Sequence, residues 1–139
     1  MRPFAAAKEI HLRAEPPAKD VLVRCDIRRI LQVFSNLIGN AIKFTPARGA
    51  IVLRSGLAGD AAVISVSDTG PGIPTLHMSR IFDRYYQAPS AERSGVGLGL
   101  FIAKGIVTAH GGRIWGESKP DSGSTFSFTI PLAGSNAKA

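Results

Sequence analysis

The chain has 139 residues, 45% of them hydrophobic and 19% charged, with a single cysteine. That length buries the core of one domain, and the composition excludes a disordered chain, a disulfide-stapled miniprotein and a Cys-based zinc site. No apolar run approaches the roughly 18 residues of a membrane helix, and the opening Met1-Arg2-Pro3-Phe4 lacks the apolar core of a secretory signal. Seventeen Lys and Arg against ten Asp and Glu give a formal charge of +7, which favours an anionic partner: nucleic acid, a membrane surface or a phosphorylated small molecule. The basic residues are scattered, with Arg28-Arg29 the only adjacent pair. A duplex-binding patch would cluster them, so the expectation is no nucleic acid and no membrane contact. The lone Cys25 accords with a reducing, cytoplasmic setting.

In chain order, Glu9 to Ala14 alternates polar and apolar, as a half-buried strand does. A Pro16-Pro17 turn leads to a second short strand over Val21–Arg24. From Asp26 to Phe44 the period lengthens. Ile27, Ile30, Leu31, Phe34, Leu37, Ile38 and Ala41 recur at threes and fours, which predicts an amphipathic helix with Asp26 as N-cap and Thr45-Pro46 as its stop. Ala50–Ser55 and Ala62–Ser67 read as a hairpin across Gly56–Asp60. The second of these strands runs into Asp68-Thr69-Gly70-Pro71-Gly72-Ile73-Pro74. A short helix over Leu76–Phe82 follows, then a small polar loop, Ala88–Gly95. Gly99–Ala109 forms a second long helix closed by His110-Gly111-Gly112. Arg113–Ser118 and Ser124–Pro131 are the last two strands. Strands pairing at both ends with helices between them predict an α/β (α+β) two-layer sandwich: a mixed, mostly antiparallel sheet with helices on one face. The domain is expected over residues 8–132, with 1–7 as a linker start and 133–139 as a flexible tail.

Three stretches carry chemistry. Turning 100° per residue along the first helix places Asn36, Asn40 and Lys43 on one stripe, away from the apolar face. Asparagine is a poor helix former, so two of them four apart ask for a reason beyond an ordinary wet face. An amide oxygen suits a magnesium ion, and an ammonium suits phosphate. Asp68 lies where a strand enters a Gly-Pro-Gly loop. A carboxylate there can accept a hydrogen bond from the exocyclic amine of a purine, and glycines let a flat ring reach the backbone; a plain turn has the same composition. Asp68-Thr69-Gly70 also spells the aspartic-protease triplet, which would need a second aspartate and a different apolar flank. Gly95-Val96-Gly97-Leu98-Gly99-Leu100 precedes a helix, where backbone amides and the helix dipole favour an anion. It matches neither the P-loop pattern nor the dinucleotide-binding pattern.

In this order the stretches resemble the ATP-binding catalytic domain of sensor histidine kinases, in the GHKL ATPase superfamily. The N box is similar to Asn36-Leu-Ile-Gly-Asn40-Ala-Ile-Lys43-Phe44, the first G box to Asp68-Thr-Gly-Pro-Gly-Ile73, the F box to Ile81-Phe82-Asp-Arg-Tyr85-Tyr86, and the second G box to Gly95-Val-Gly-Leu-Gly-Leu100. The resemblance implies Mg-ATP as ligand. Asn40 would hold Mg2+ with Asn36 beside it, Lys43 would face phosphate, and Phe44 would pack by the adenine. Asp68 would read the adenine amine in a pocket shaped by Gly70, Gly72 and Ile73, and Tyr86 of the F box would also bind the nucleotide. Gly95, Gly97, Leu98 and Gly99 would approach the triphosphate beneath a lid over Ala88–Gly95, and Thr125 would be a hydroxyl near Asp68.

Three departures stand out. Val96 replaces the common Thr or Ser, Gln87 replaces the common Arg or Lys, and no His followed by an acidic residue is present. His11, His77 and His110 read as structural or solvated. The resemblance therefore implies transfer of the ATP γ-phosphoryl group to a histidine on a separate dimerisation domain, with a response regulator downstream. It further implies that this chain is monomeric and does not label itself, and leaves open whether the parent is membrane-anchored or a hybrid kinase. Two alternatives stay open. A GHKL relative of the DNA gyrase or MutL type would hydrolyse ATP for conformational work, but commonly carries a glutamate where Asn36 stands. A nucleotide-gated interaction module without catalysis is compatible with Val96 and Gln87.

Overall fold

A computed structural model describes residues 9–15, 22–73, 75–84, 98–118 and 122–133. The chain runs β1 (His11–Glu15), α1 (Ile27–Phe44), β2 (Ala50–Ala58), β3 (Ala61–Asp68), a 3₁₀ segment (Thr75–Arg80), α2 (Gly99–Ala109), β4 (Ile114–Ser118) and β5 (Ser124–Pro131). The five strands form one sheet in the order β1-β2-β3-β5-β4; β1 pairs parallel with β2, and every other pairing is antiparallel. This is the mixed α/β sandwich that the sequence pattern predicts.

Helix α1 begins where Asp26 accepts from the backbone N–H groups of Arg28 and Arg29 at 3.1 and 3.4 Å, satisfying donors that a helix start leaves over. It ends at Thr45, whose hydroxyl and N–H both donate to Ala41 O, at 2.7 and 2.9 Å, before Pro46 blocks continuation. Strand alternation then sorts the sheet into two faces. Val66 of β3, with Phe126, Phe128 and Ile130 of β5, belongs to the core with Val33, Leu37 and Ala41 of α1 and Ala103 and Val107 of α2. Phe34 meets Phe128 edge-on, ring centres 5.5 Å apart. On the other face, Ser65 and Ser67 pair through their hydroxyls with Ser127 and Thr125, each at 2.9 Å.

The structure departs from the sequence reading in four places. Val21–Arg24 is not a strand among the described residues; a single antiparallel bridge joins Val23 to Leu132. The hairpin is longer than predicted, with Gly56, Leu57 and Ala58 still paired to Val63, Ala62 and Ala61 and only Gly59-Asp60 turning. The short helix after the first glycine loop is 3₁₀ and covers Thr75–Arg80 rather than Leu76–Phe82. Finally, Ile27 and Leu31 are 64% and 58% exposed, although they lie on the flank of α1 that Ile38 and Ile42 bury further along. The apolar stripe outruns its cover. No helix among the described residues is long and apolar enough to cross a membrane.

Candidate functional site

The site is organised by successive turns of α1. Asn36, Asn40 and Phe44 stand four residues apart, so each is about 6 Å further along the axis and turned about 40° from the last. At the first of these turns the Asn36 carboxamide nitrogen donates to Gly99 O at 3.0 Å, fixing the start of α2 against α1. At the third, the Phe44 carbonyl lies against Gly70; a Cβ added there would be 2.8 Å from Phe44 O and 3.0 Å from Asp68 Oδ1. Asn40 occupies the turn of α1 between Asn36 and Phe44. It is half-buried, and its carboxamide makes no hydrogen bond to another described residue. A hollow of about 400 Å³ opens at the C-terminal end of α1, walled by Lys43, Phe44 and Pro46 on one side and Thr69, Gly70 and Pro71 on the other. The Lys43 Nζ lies 5.5 Å from the centre of the Phe44 ring.

The far wall is held by Asp68. Its Oδ1 accepts from the Gly70 N–H at 2.8 Å, and the carboxylate also accepts from the Ser124 N–H. Burial raises the Asp68 pKa above the usual carboxylate value, and these two hydrogen bonds offset part of that rise because they favour the ionised form. Gly72 takes a left-handed φ of 79°, which a side chain would resist, and Ile73 turns back to pack on the core. On the other side of the site, α2 begins at Gly99 after Leu98, which has no polar side chain to cap it. Among the described residues no capping side chain bonds the first-turn N–H groups of α2, whose start is held to α1 by Asn36.

The residues singled out from sequence separate into three sets. Lys43, Phe44 and Gly70 wall the hollow, and Asp68 adjoins it through its bond to Gly70, with Gly72 and Ile73 further along the same loop. Asn40 and Asn36 lie one and two turns before Phe44 on α1, and Asn36 holds Gly99, next to Leu98. Tyr86, Gly95, Gly97 and the lid over Ala88–Gly95 lie outside the described residues. Thr125 is not brought to Asp68: it pairs with Ser67 and bonds to its hydroxyl on the helix-free face. The residue opposite Asp68 is Ser124, 8% exposed on the helix-covered face. His110 is a clip between helices. Its Nε2 accepts from the Asp26 N–H at 3.1 Å, and its Nδ1 is 2.9 Å from Ile106 O. Among the described residues no three His, Cys, Asp or Glu side chains cluster as a metal site, so a carboxamide is the donor the site offers.

This fold and this pairing of an amide-bearing helix with two glycine segments define an ATPase class, and the match extends over most of the chain. Residues 25–134 fit the histidine kinase-, DNA gyrase B- and HSP90-like ATPase family, and the chain belongs to it. Within that family its relatives are sensor histidine kinases. It is 38% identical to the sensor histidine kinase WalK of Bacillus subtilis (strain 168) over 135 residues, covering 92% of this chain and 22% of WalK. The structure of full-length ShkA in complex with AMPPNP superposes with a TM-score of 0.83 at 30% identity, covering 94% of this chain and 27% of ShkA. The histidine kinase ThkA, solved in complex with the response regulator protein TrrA, gives a TM-score of 0.77 at 32% identity, over 94% of this chain and 36% of ThkA. The chain thus spans about a fifth to about a third of the length of these relatives.

Proposed function

We propose that this chain binds Mg-ATP and presents its γ-phosphoryl group to a histidine on a separate dimerisation domain of the parent protein. The observation that carries this reading is the ladder on α1: Asn36 holding Gly99, the Phe44 carbonyl against Gly70, and on the turn between them the carboxamide of Asn40, which makes no hydrogen bond to another described residue. A nucleotide laid along this helix has its base at the Asp68 loop and its phosphates at the start of α2. Asp68 accepts the exocyclic amine of adenine, Phe44 packs beside the ring, and Lys43 and the α2 amides face the phosphates. Asn40 would hold the magnesium ion, which supplies charge neutralisation on the triphosphate. Phosphoryl transfer asks for little covalent work, so the contribution of these residues is orientation and charge placement.

The hydrolytic alternative is less well supported. Hydrolysis needs a group to position or deprotonate water, and the place four residues before Asn40 is filled by Asn36, whose carboxamide has no basic oxygen and is tied to Gly99. Downstream, the partner is proposed to be a response regulator, by likeness to ThkA with TrrA. The test is incubation with γ-labelled ATP, alone and with a dimerisation domain from a sensor histidine kinase. Label should appear on the added domain and not on this chain. Efficient labelling of the chain by itself would overturn the proposed division of labour, and release of inorganic phosphate with neither protein labelled would favour hydrolysis.

A further inference from the structure

Asp68 of β3, Ser124 of β5 and Ser118 of β4 form one row across three strands, because Asp68 pairs with Ser124 and Ser118 pairs with Ser124. Paired residues share a face, so all three point to the helix-covered side. Ser118 lies outside every stretch that the sequence marks as functional, yet it is the hub of this row. Its Oγ accepts from the Ile73 N–H at 2.6 Å, donates to Gly123 O at 3.1 Å, and lies 2.9 Å from the Ser124 Oγ. With its one proton on Gly123, Ser124 must be the donor in the third contact. The Ser118 hydroxyl then uses its single donor and both lone pairs. Ser124 in turn gives its N–H to the Asp68 carboxylate.

The consequence is an arch. The glycine loop leaves β3 at Asp68, crosses the end of β5 and lands on the end of β4, where Ile73 is bonded to Ser118. That crossing spans two strand spacings, or about 10 Å. Gly123 lets the arch sit low: its φ is 84°, and a Cβ there would collide with the Asp68 carbonyl oxygen. Both feet of the loop are therefore pinned to the same β4–β5 turn, one through the Ser124 N–H and the other through the Ser118 Oγ.

We propose that Ser118 is a positioning residue for base recognition: it fixes the landing of the Asp68–Ile73 loop, and through it the shape of the pocket that distinguishes adenine. This rests on the nucleotide reading above. It predicts an effect confined to the base, since the partners of the Ser118 hydroxyl among the described residues are Ile73, Gly123 and Ser124, all at the Asp68 loop or beside it. The experiment compares wild type with Ser118→Ala and Ser118→Thr, using ATP, GTP and tripolyphosphate as probes in calorimetry, with thermal melting alongside. Ser118→Ala should lose at least five-fold in ATP affinity and should narrow the ATP-over-GTP preference, while tripolyphosphate binding stays at the wild-type level. Ser118→Thr keeps the hydroxyl and should restore both ATP affinity and preference. Wild-type ATP affinity and preference in Ser118→Ala, or equal impairment in the Thr variant, would overturn the proposal. Amide exchange by NMR in the unsubstituted protein gives a second reading that does not depend on how the variants fold. The Ile73 N–H should exchange more slowly than the Gly72 N–H, and the reverse order would also overturn the proposal. Failure of wild type to bind ATP would instead refute the nucleotide assignment, leaving the exchange measurement to decide the fate of the arch.

Discussion

Asn36 and Gly99 stand 63 positions apart in sequence, and the carboxamide nitrogen of the first donates to the carbonyl oxygen of the second at 3.0 Å. The two asparagines of α1 are therefore not equivalent. Asn36 is committed to locating the α2 N-terminus, whereas Asn40 makes no hydrogen bond to another described residue. Asn36→Ala should weaken ADP binding by the value of one ordinary hydrogen bond, about 0.5–1.5 kcal/mol or roughly two- to ten-fold, by the same factor in magnesium and in EDTA. Asn40→Ala should remove the magnesium-dependent part of the affinity and leave binding in EDTA near wild type. Titration calorimetry in the two buffers separates these patterns. An exchange of the two behaviours would transfer the metal contact to Asn36.

Asp68 combines a cost with a use. Its folded pKa is raised above the unfolded value, so the native state binds its proton more readily than the unfolded chain does. The contribution of this group to stability is thus most favourable at low pH and declines as pH rises through the raised pKa, the reverse of a salt-bridged carboxylate. Asp68→Asn removes that titration. The stability difference between wild type and Asp68→Asn should therefore move in favour of the variant as pH rises from below 4 towards neutrality, as read by urea denaturation at each pH. Nucleotide binding should respond in the opposite sense. Asp68→Asn places a donor where the adenine amine needs an acceptor, and should cost about 1–3 kcal/mol of ATP affinity at neutral pH. Unchanged ATP affinity would remove Asp68 from the pocket.

The parts of this molecule that are legible in sequence are those set by local physics. The 3.6-residue period, Asp26 and Thr45-Pro46 delimit α1 because caps and prolines act on their own neighbours. The sheet order β1-β2-β3-β5-β4 is not written locally, since it depends on which distant strands find each other. The assignment of Thr125 shows how finely this matters. Placing β5 against β3 with Asp68 opposite Ser124 sends Thr125 to the far face, and a slip of one residue would have reversed it. Ser118 escaped notice for the same reason: a serine at a strand end carries no signal until the register brings Ile73 and Ser124 to its hydroxyl. Ile27 and Leu31 illustrate the converse limit of periodicity, which reports an apolar stripe but not where the covering layer stops.

The helix pair has its own clip, independent of the site. Asp26 caps α1 with its carboxylate, and its backbone N–H donates to the His110 Nε2 at the end of α2. Asp26→Ala should lower stability by about 0.5–2 kcal/mol through loss of the cap, while keeping the N–H that His110 uses. His110→Ala should cost a further amount. Because each variant leaves the other interaction intact, the two losses should add to within about 0.5 kcal/mol. Chemical denaturation of the single and double variants measures this. Marked non-additivity would mean that the cap and the clip act as one unit.

Gly70 and Gly105 make a paired test of whether the hollow or the helix sets function. Both accept alanine in principle, but their surroundings differ. A Cβ at Gly70 meets the Phe44 carbonyl oxygen at 2.8 Å, a backbone atom that cannot rotate away, whereas nothing lies within 4 Å of a Cβ at Gly105 on the exposed side of α2. Gly70→Ala must push the loop off α1, so it should destabilise the fold by about 1–3 kcal/mol and reduce ATP affinity more than the Asn36→Ala change does. Gly105→Ala replaces a flexible residue in mid-helix with the best helix former, and should stabilise by about 0.5–1 kcal/mol with ATP affinity unchanged. Melting and calorimetry on the two variants decide the matter. If Gly70→Ala melts and binds like wild type, the contact between the first glycine loop and the end of α1 does not shape the nucleotide pocket.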